Sequence, residues 1–219
     1  YNRVWNSDVP FSTFFGNSLK VTILSVAGEV FTSSLAAYAF AKIKFKGRDV
    51  IFLIYLSTLA FPAQMMLIPR FTMFRTIGLY NTHWALILPG MFTAFGTFML
   101  RQFFMSIPEE LSESAKIDGA NHFTIFSKII LPLAVPAFSA LIIFQFVSSW
   151  NEYESALVYI RSKELATIPL GLNFFKDENA SSYGAIMAAS VCSLIPIFTV
   201  FLIFQKQFVA GIATSGMKE

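Results

Sequence analysis

The sequence predicts an all-α, polytopic membrane protein, and three observations carry that prediction. Hydrophobic residues make up 55% of the 219 and charged residues only 13%, against roughly 25% charged in soluble domains. With a mean hydropathy of +0.62, there is too little polar surface to coat a water-soluble globule. Long stretches carry no charge at all: Val50 to Pro69, Thr76 to Leu100, Ile129 to Asn151 and Asn179 to Gln205, while Val21 to Ala41 is interrupted only by Glu29. About 20 mostly apolar residues are needed to cross a bilayer core as helix, so these are read as five spans. The basic residues gather in the short segments between them.

The first span, 21–41, holds Glu29 near its middle. A carboxylate at that depth costs roughly 2.5–3.5 kcal/mol on insertion scales, so Glu29 is expected to face the bundle interior or be protonated. The loop that follows, Lys42 to Arg48, carries four positive charges in seven residues. By the positive-inside rule it is cytoplasmic. Alternation then puts the N-terminus, 70–80 and 152–182 outside, and 101–132 and the C-terminus inside. Trp5, Tyr80, Trp84, Trp150, Tyr153, Tyr159 and Tyr183 fall near outer span ends, where amphipathic rings favour the membrane interface. Arg70 to Arg75, between Pro69 and Gly78, reads as a short interfacial helix. Several spans contain or end at proline (Pro62, Pro69, Pro89, Pro132, Pro136, Pro196). Proline leaves a carbonyl free inside a membrane helix, which shapes a cavity or serves simple packing.

The segment from Ser106 to Pro132 differs from the spans. Ser106-Ile107-Pro108-Glu109 has the form of a capping box. Glu109, Glu110 and Glu113 suit the positive end of a helix dipole. Ile107, Leu111 and Ala115 recur every four residues as an apolar stripe. The helix is expected to stop near Asp118, with Gly119 as the left-handed residue beyond it. Asn121 can cap a second helix, with Phe123, Phe126 and Ile130 on one face. A cytoplasmic helix–turn–helix of this kind can dock into a partner's groove or fold back on its own bundle.

Composition also excludes several classes. A net charge of +3 gives no case for nucleic acid. His83 and His122 are far apart and show no metal-ligand spacing. The single cysteine, Cys192, reads as a small packing residue. No cleavable signal peptide is visible at Tyr1. There is no Gly-Lys pair for a phosphate-binding loop, no His-Glu-x-x-His and no nucleophile elbow.

Glu113-Ser114-Ala115, three residues, Gly119, nine residues, then Ile129-Ile130-Leu131-Pro132 resembles the E-A-A–x3–G–x9–I–x–L–P signature. That signature marks membrane subunits of binding-protein-dependent ABC importers. Ser114 departs from the usual alanine, and Asp118-Gly119-Ala120 matches the common D-G-A. Asn17-Ser18-Leu19, Leu35 to Phe40, Asn81 to Pro89, Ser149 to Tyr153 and Met187 to Ser190 resemble carbohydrate-type permeases. They are most similar to the smaller permease of maltose and multiple-sugar importers. The resemblance implies the type I importer permease fold, a single permease domain over 1–219, and a coupling hairpin at 106–132. That group usually has six spans. With five visible, a further span before Tyr1 is expected.

The resemblance further implies a bacterial or archaeal cytoplasmic membrane and several partners: a dimer of ATP-binding subunits, a second permease, an extracellular solute-binding protein, and a sugar substrate. No cofactor is expected in this chain, since ATP and magnesium would belong to the ATPase. Glu113, Ser114, Ala115, Asp118, Gly119, Ala120, Ile129, Leu131 and Pro132 would form the coupling site. Glu29, Gln64, Asn151, Glu152 and Tyr153 are candidates for the translocation path, or for interface and packing roles. The charged segment 152–182 would meet the binding protein, and the tail from Gly211 to Glu219 would reach toward the ATPase. A non-sugar importer of the same superfamily and an ion-coupled secondary transporter are the alternatives. The second would need paired intramembrane carboxylates or repeated broken helices, and only Glu29 is present.

Overall fold

The computed structural model describes residues 10–177 and 183–216. Trp5, Glu178 and Met217 to Glu219 lie outside the described residues. Among the described residues twelve α-helices follow in order: α1 Phe11–Lys42, α2 Arg48–Ser57, α3 Leu67–Thr76, α4 Trp84–Met91, α5 Ala94–Ser106, α6 Glu109–Ile117, α7 His122–Ile125, α8 Leu131–Leu133, α9 Val135–Trp150, α10 Glu154–Tyr159, α11 Ile168–Asp177 and α12 Tyr183–Gly216. Among the described residues Phe11–Lys42, Trp84–Ser106 and Ile186–Phe208 are long and apolar enough to cross a membrane, and two broken helix pairs raise the number to as many as five. The second predicted span is one of these broken pairs. Its α-helix ends at Ser57, short 3-10 turns cover Thr58–Ala60 and Ala63–Met66, and Pro62 stands between them. A proline there removes a donor and opens the ladder.

The chain divides into two compact units, Tyr1–Gly28 with Phe61–Met91 and Phe144–Leu202, and Glu29–Ala60 with Phe92–Ile143 and Ile203–Glu219. In the first unit Phe11, Phe14, Phe146, Trp150, Ile160 and Leu170 form the main buried cluster. Trp150 is 3% exposed, stacks on Phe146 and donates Nε1–H to the Ser193 carbonyl at 3.1 Å. Tyr159 is fully buried, edge-on to Phe74, with its hydroxyl on the Leu67 carbonyl at 3.2 Å. A partner for the ring's polar atom lets each be buried.

The segment 152–177 is folded and partly buried. Ala156, Ile160, Ala166, Ile168 and Leu170 are buried, and polar clamps tie the segment to earlier helices. Asn17 donates to the carbonyls of Glu164 at 2.7 Å and Ala166 at 2.9 Å. Asn81, the one described non-glycine residue with positive φ (58°), accepts from the backbone N–H groups of Arg161 and Ser162, both at 2.9 Å. Its amide also donates to Ser162 Oγ.

In the second unit Ala37, Leu100, Phe104, Ile125, Ile130 and Leu141 are the centre of the core. Arg101, 8% exposed, donates to the Phe40 carbonyl and Asp49 and lies 4.1 Å over the Phe52 ring. A buried guanidinium paired and stacked in this way is compensated for its lost hydration.

Candidate functional site

Two places bear on function, one in each unit. The first is the 106–132 hairpin. α6 ends as its sequence suggests. Gly119 has φ 84°, its N–H bonds to the Lys116 carbonyl at 3.0 Å, and the Ala120 N–H bonds to the Ala115 carbonyl at 2.9 Å. These two bonds are a Schellman motif, which requires a left-handed residue at that point. A Cβ at Gly119 would meet nothing within 4 Å, so glycine is there for its backbone and not for space. Asn121 caps the next helix, its Oδ1 accepting from the Thr124 N–H at 2.9 Å.

Three expectations are corrected here. Ser106 closes α5 and donates to the Phe103 carbonyl, so no capping box forms. Pro108 stands at the start of α6 without a side-chain cap. Glu109 turns instead to Lys44, at 3.1 Å, and that cation holds its carboxyl below the ordinary carboxylate range. The apolar stripes are split as well. Ile107, Phe126 and Ile130 are buried, whereas Leu111 is 43%, Phe123 74% and Ile117 86% exposed. The second helix breaks the expected periodicity because Phe126–Ile130 is a π-turn, in which the Leu131 N–H bonds back to Phe126. Pro132 has no N–H to offer, and the wider turn precedes it. After Leu133 the helix axis bends by 75° into α9.

Of the predicted coupling residues, Glu113, Ser114, Asp118 and Gly119 are exposed, while Ala115, Ala120, Ile129 and Leu131 pack against the second unit's core. Pro132 is exposed. Ser114, the departure from alanine, returns its hydroxyl to the Glu110 carbonyl at 2.9 Å, so it presents little more than a small surface. Lys42 donates to the Ile107 carbonyl at 2.7 Å. With the Lys44–Glu109 pair, this places the basic loop and the hairpin at the same end of the unit.

The second place is a cavity of about 530 Å³ in the first unit, within the roughly 300–1,000 Å³ of small-molecule sites. Gln64, Asn151, Glu152 and Tyr153 line it together, although nearly ninety residues separate them in sequence. Asn151 donates to the Val147 carbonyl, leaving its amide oxygen as an acceptor. Glu152 Oε1 accepts from the Ser155 N–H at 2.8 Å. The Tyr153 hydroxyl accepts from Asn173 at 2.6 Å and keeps its own proton to donate.

Sequence reasoning missed several polar members, among them Glu154, Gln145 and Arg70. Gln145 lines the cavity and donates to the Gly90 carbonyl at 2.9 Å; a lone amide inside an otherwise apolar run was its signal. Arg70 also lines it, having been read only as part of an interfacial helix. Glu29 is not in the cavity lining. It is 1% exposed, takes a hydrogen bond from the Thr93 hydroxyl, and faces Gly96 across a contact with no room for a Cβ. Among the described residues no cluster of His, Cys, Asp or Glu could hold a metal ion.

Helices able to span a membrane, an exposed helix–turn–helix at one end and a polar cavity define a multi-pass membrane transport component. Residues 29–214 match the family described as binding-protein-dependent transport system inner membrane component, and the chain belongs to it. It is 37% identical over 206 residues to the arabinooligosaccharides transport system permease protein AraQ of Halalkalibacterium halodurans, covering 94% of this chain and 74% of that protein. It is 35% identical over 214 residues to the sulfoquinovosyl glycerol transport system permease protein SmoH of Agrobacterium fabrum, covering 97% and 75%. In a crystal structure of a bacterial ABC transporter involved in importing the acidic polysaccharide alginate, one chain superposes with a TM-score of 0.81 at 32% identity, over 95% of this chain and 78% of that one. The chain is therefore a multi-pass inner membrane permease component with the type I importer fold.

Proposed function

We propose that this permease passes a sugar or oligosaccharide, delivered by an extracellular binding protein, across the membrane on ATP hydrolysis by separate subunits. The observation that carries the coupling half is the hairpin, where a rigid Schellman turn at Gly119 stands between two solvent-exposed apolar side chains, Ile117 and Phe123. Large exposed apolar groups set among polar ones mark a protein contact. A helix laid into a partner's groove is a common way of making one. In this reading α6 enters a cleft on the ATPase, and Ala115, Ala120 and Ile130, packed in the unit's core, carry its displacement into the helices. ATP and magnesium reside on that partner, and this chain needs no cofactor.

The basic loop 42–48 lies at the hairpin's end of the unit, which supports placing both in the cytoplasm, and the C-terminus with them. Gln64, Gln145, Asn151 and Tyr153 offer the amide and phenol groups that sugar hydroxyls pair with. The carbohydrate names among the relatives support the same substrate class. A second permease completes the path, and 1–219 acts as one permease domain in spite of its two compact units. The test is ATPase activity of the purified assembly in proteoliposomes, with binding protein loaded with candidate solutes. Stimulation by a sugar-loaded binding protein is expected. Stimulation only by a non-sugar solute would replace the substrate, and no ATPase in the assembly would remove the importer reading.

A further inference from the structure

We infer that the cavity of the first unit is built for an acidic carbohydrate, with Arg70 as the residue that takes its carboxylate. The inference rests on the sugar-transport reading and names the substrate class of the same site. Arg70 projects from α3 and lines the cavity, half-buried. A guanidinium is always charged and offers five donors in a planar fork. Lining or burial usually brings it a partner, as the buried Arg101 has in Asp49 and two further contacts. Arg70 has no hydrogen bond and no ion pair among the described residues. Its charge has no partner at contact distance, in a lining that also carries Glu152 and Glu154.

The two carboxylates in the lining do not fill that role. Glu152 and Glu154 both line the cavity, and neither lies within ion-pair distance of Arg70. Glu152 Oε1 is engaged by the Ser155 N–H at 2.8 Å. Glu154 is the first residue of α10, where the backbone dipole favours negative charge. Each acid has a local reason to be there that does not involve the guanidinium. An arginine left over beside amide and phenol groups matches a ligand with both hydroxyls and a planar anion, which the fork can bind in bidentate fashion. The transporter whose chain superposes on this one is involved in the import of the acidic polysaccharide alginate.

The test is equilibrium binding to the purified membrane complex without its binding protein, so that the latter's own selectivity does not enter. The probes are a labelled uronate trisaccharide and the same trisaccharide with its carboxyl groups reduced to alcohols. The wild type is expected to prefer the acidic probe. Arg70→Gln should weaken that probe by about 10- to 100-fold, the worth of a charge-assisted hydrogen bond, and change the neutral probe by less than about twofold. Arg70→Lys, which keeps the charge and loses the fork, should weaken the acidic probe several-fold, and it decides the matter if the glutamine variant fails to assemble. Equal losses for both probes, or no loss for the acidic one, would overturn the role of Arg70 and leave sugar transport standing. Binding of neither probe by the wild type would remove both.

Discussion

Gly96 offers the sharpest quantitative check on the packing of the second unit. A Cβ there would lie 2.7 Å from Glu29 Oε1, 2.8 Å from Ser33 Oγ and 3.1 Å from Leu141 Cδ1. Glu29 cannot withdraw freely, because the Thr93 hydroxyl donates to the same oxygen and the side chain is buried. Overpacking of this kind costs about 1–3 kcal/mol. Displacing the carboxyl from Thr93 adds about 1–3 kcal/mol for the buried groups left unpaired. Better helix propensity returns about 1 kcal/mol. The net for Gly96→Ala is a destabilisation of about 1–5 kcal/mol. For a chain of this size each kcal/mol lowers the midpoint by about 2–4 °C. Thermal unfolding of the purified protein in detergent would read it. Adding Glu29→Ala removes the nearest obstacle, so the double variant should recover at least about 0.5 kcal/mol relative to additivity. A Gly96→Ala protein as stable as the wild type, or more stable, would refute the close approach of α1 and α5.

Two further predictions concern the first unit. Asn81→Ala removes three hydrogen bonds and leaves at φ 58° a residue that tolerates the left-handed region less well than asparagine. It should loosen the 161–165 segment by about 2–4 kcal/mol, read as faster amide exchange at Arg161 and Ser162, with Asn81→Gly milder because the backbone strain is spared. His83 lies just ahead of α4, is 8% exposed, and shares a hydrogen bond between Nε2 and the Leu165 carbonyl at 3.1 Å. Burial, offset by that hydrogen bond and helped by Lys20, holds its imidazole below the usual 6.5. The unfolded chain therefore takes up a proton first as pH falls. The stabilisation is complete above about pH 6.5 and is lost as pH drops toward the folded value. Thermal midpoints measured across that range should show the slope, and His83→Gln should flatten it.

What the sequence made legible follows from how local each feature is. Gly119 and Asn121 end and begin helices through bonds to residues within five positions, and both act in the structure as the chain suggests. Five apolar runs likewise foretold helices. Features decided at a distance were less legible. Ser106 has a capping pattern, yet it is the last residue of α5 and Lys44, over sixty residues earlier, takes Glu109. Phe123 fits a helical stripe with Phe126 and Ile130 until the π-turn before Pro132 rotates it into solvent. Trp150 and Tyr159 are amphipathic rings with the right spacing for an interface. That partners at Ser193 and Leu67, from other helices, bury them is not visible in that spacing. In the cavity, Gln64 and the 151–153 run could be proposed as polar groups in apolar surroundings, but their convergence, and the addition of Arg70 and Gln145, is a property of the tertiary fold.

Coupling by this chain depends on whether the hairpin holds an ATPase. The most direct measurement is co-purification from the native membrane under mild extraction, comparing wild type with Gly119→Asp and Glu113→Lys. Aspartate at Gly119 keeps the turn's surroundings open, since a Cβ meets nothing there within 4 Å, but penalises its φ of 84° by about 1–2 kcal/mol. The account predicts an ATP-binding subunit with the wild type and its loss from both variants while the permease remains folded. A folded wild-type permease that carries no ATPase, or variants that carry it undiminished, would contradict the claim that this hairpin couples ATP hydrolysis to transport.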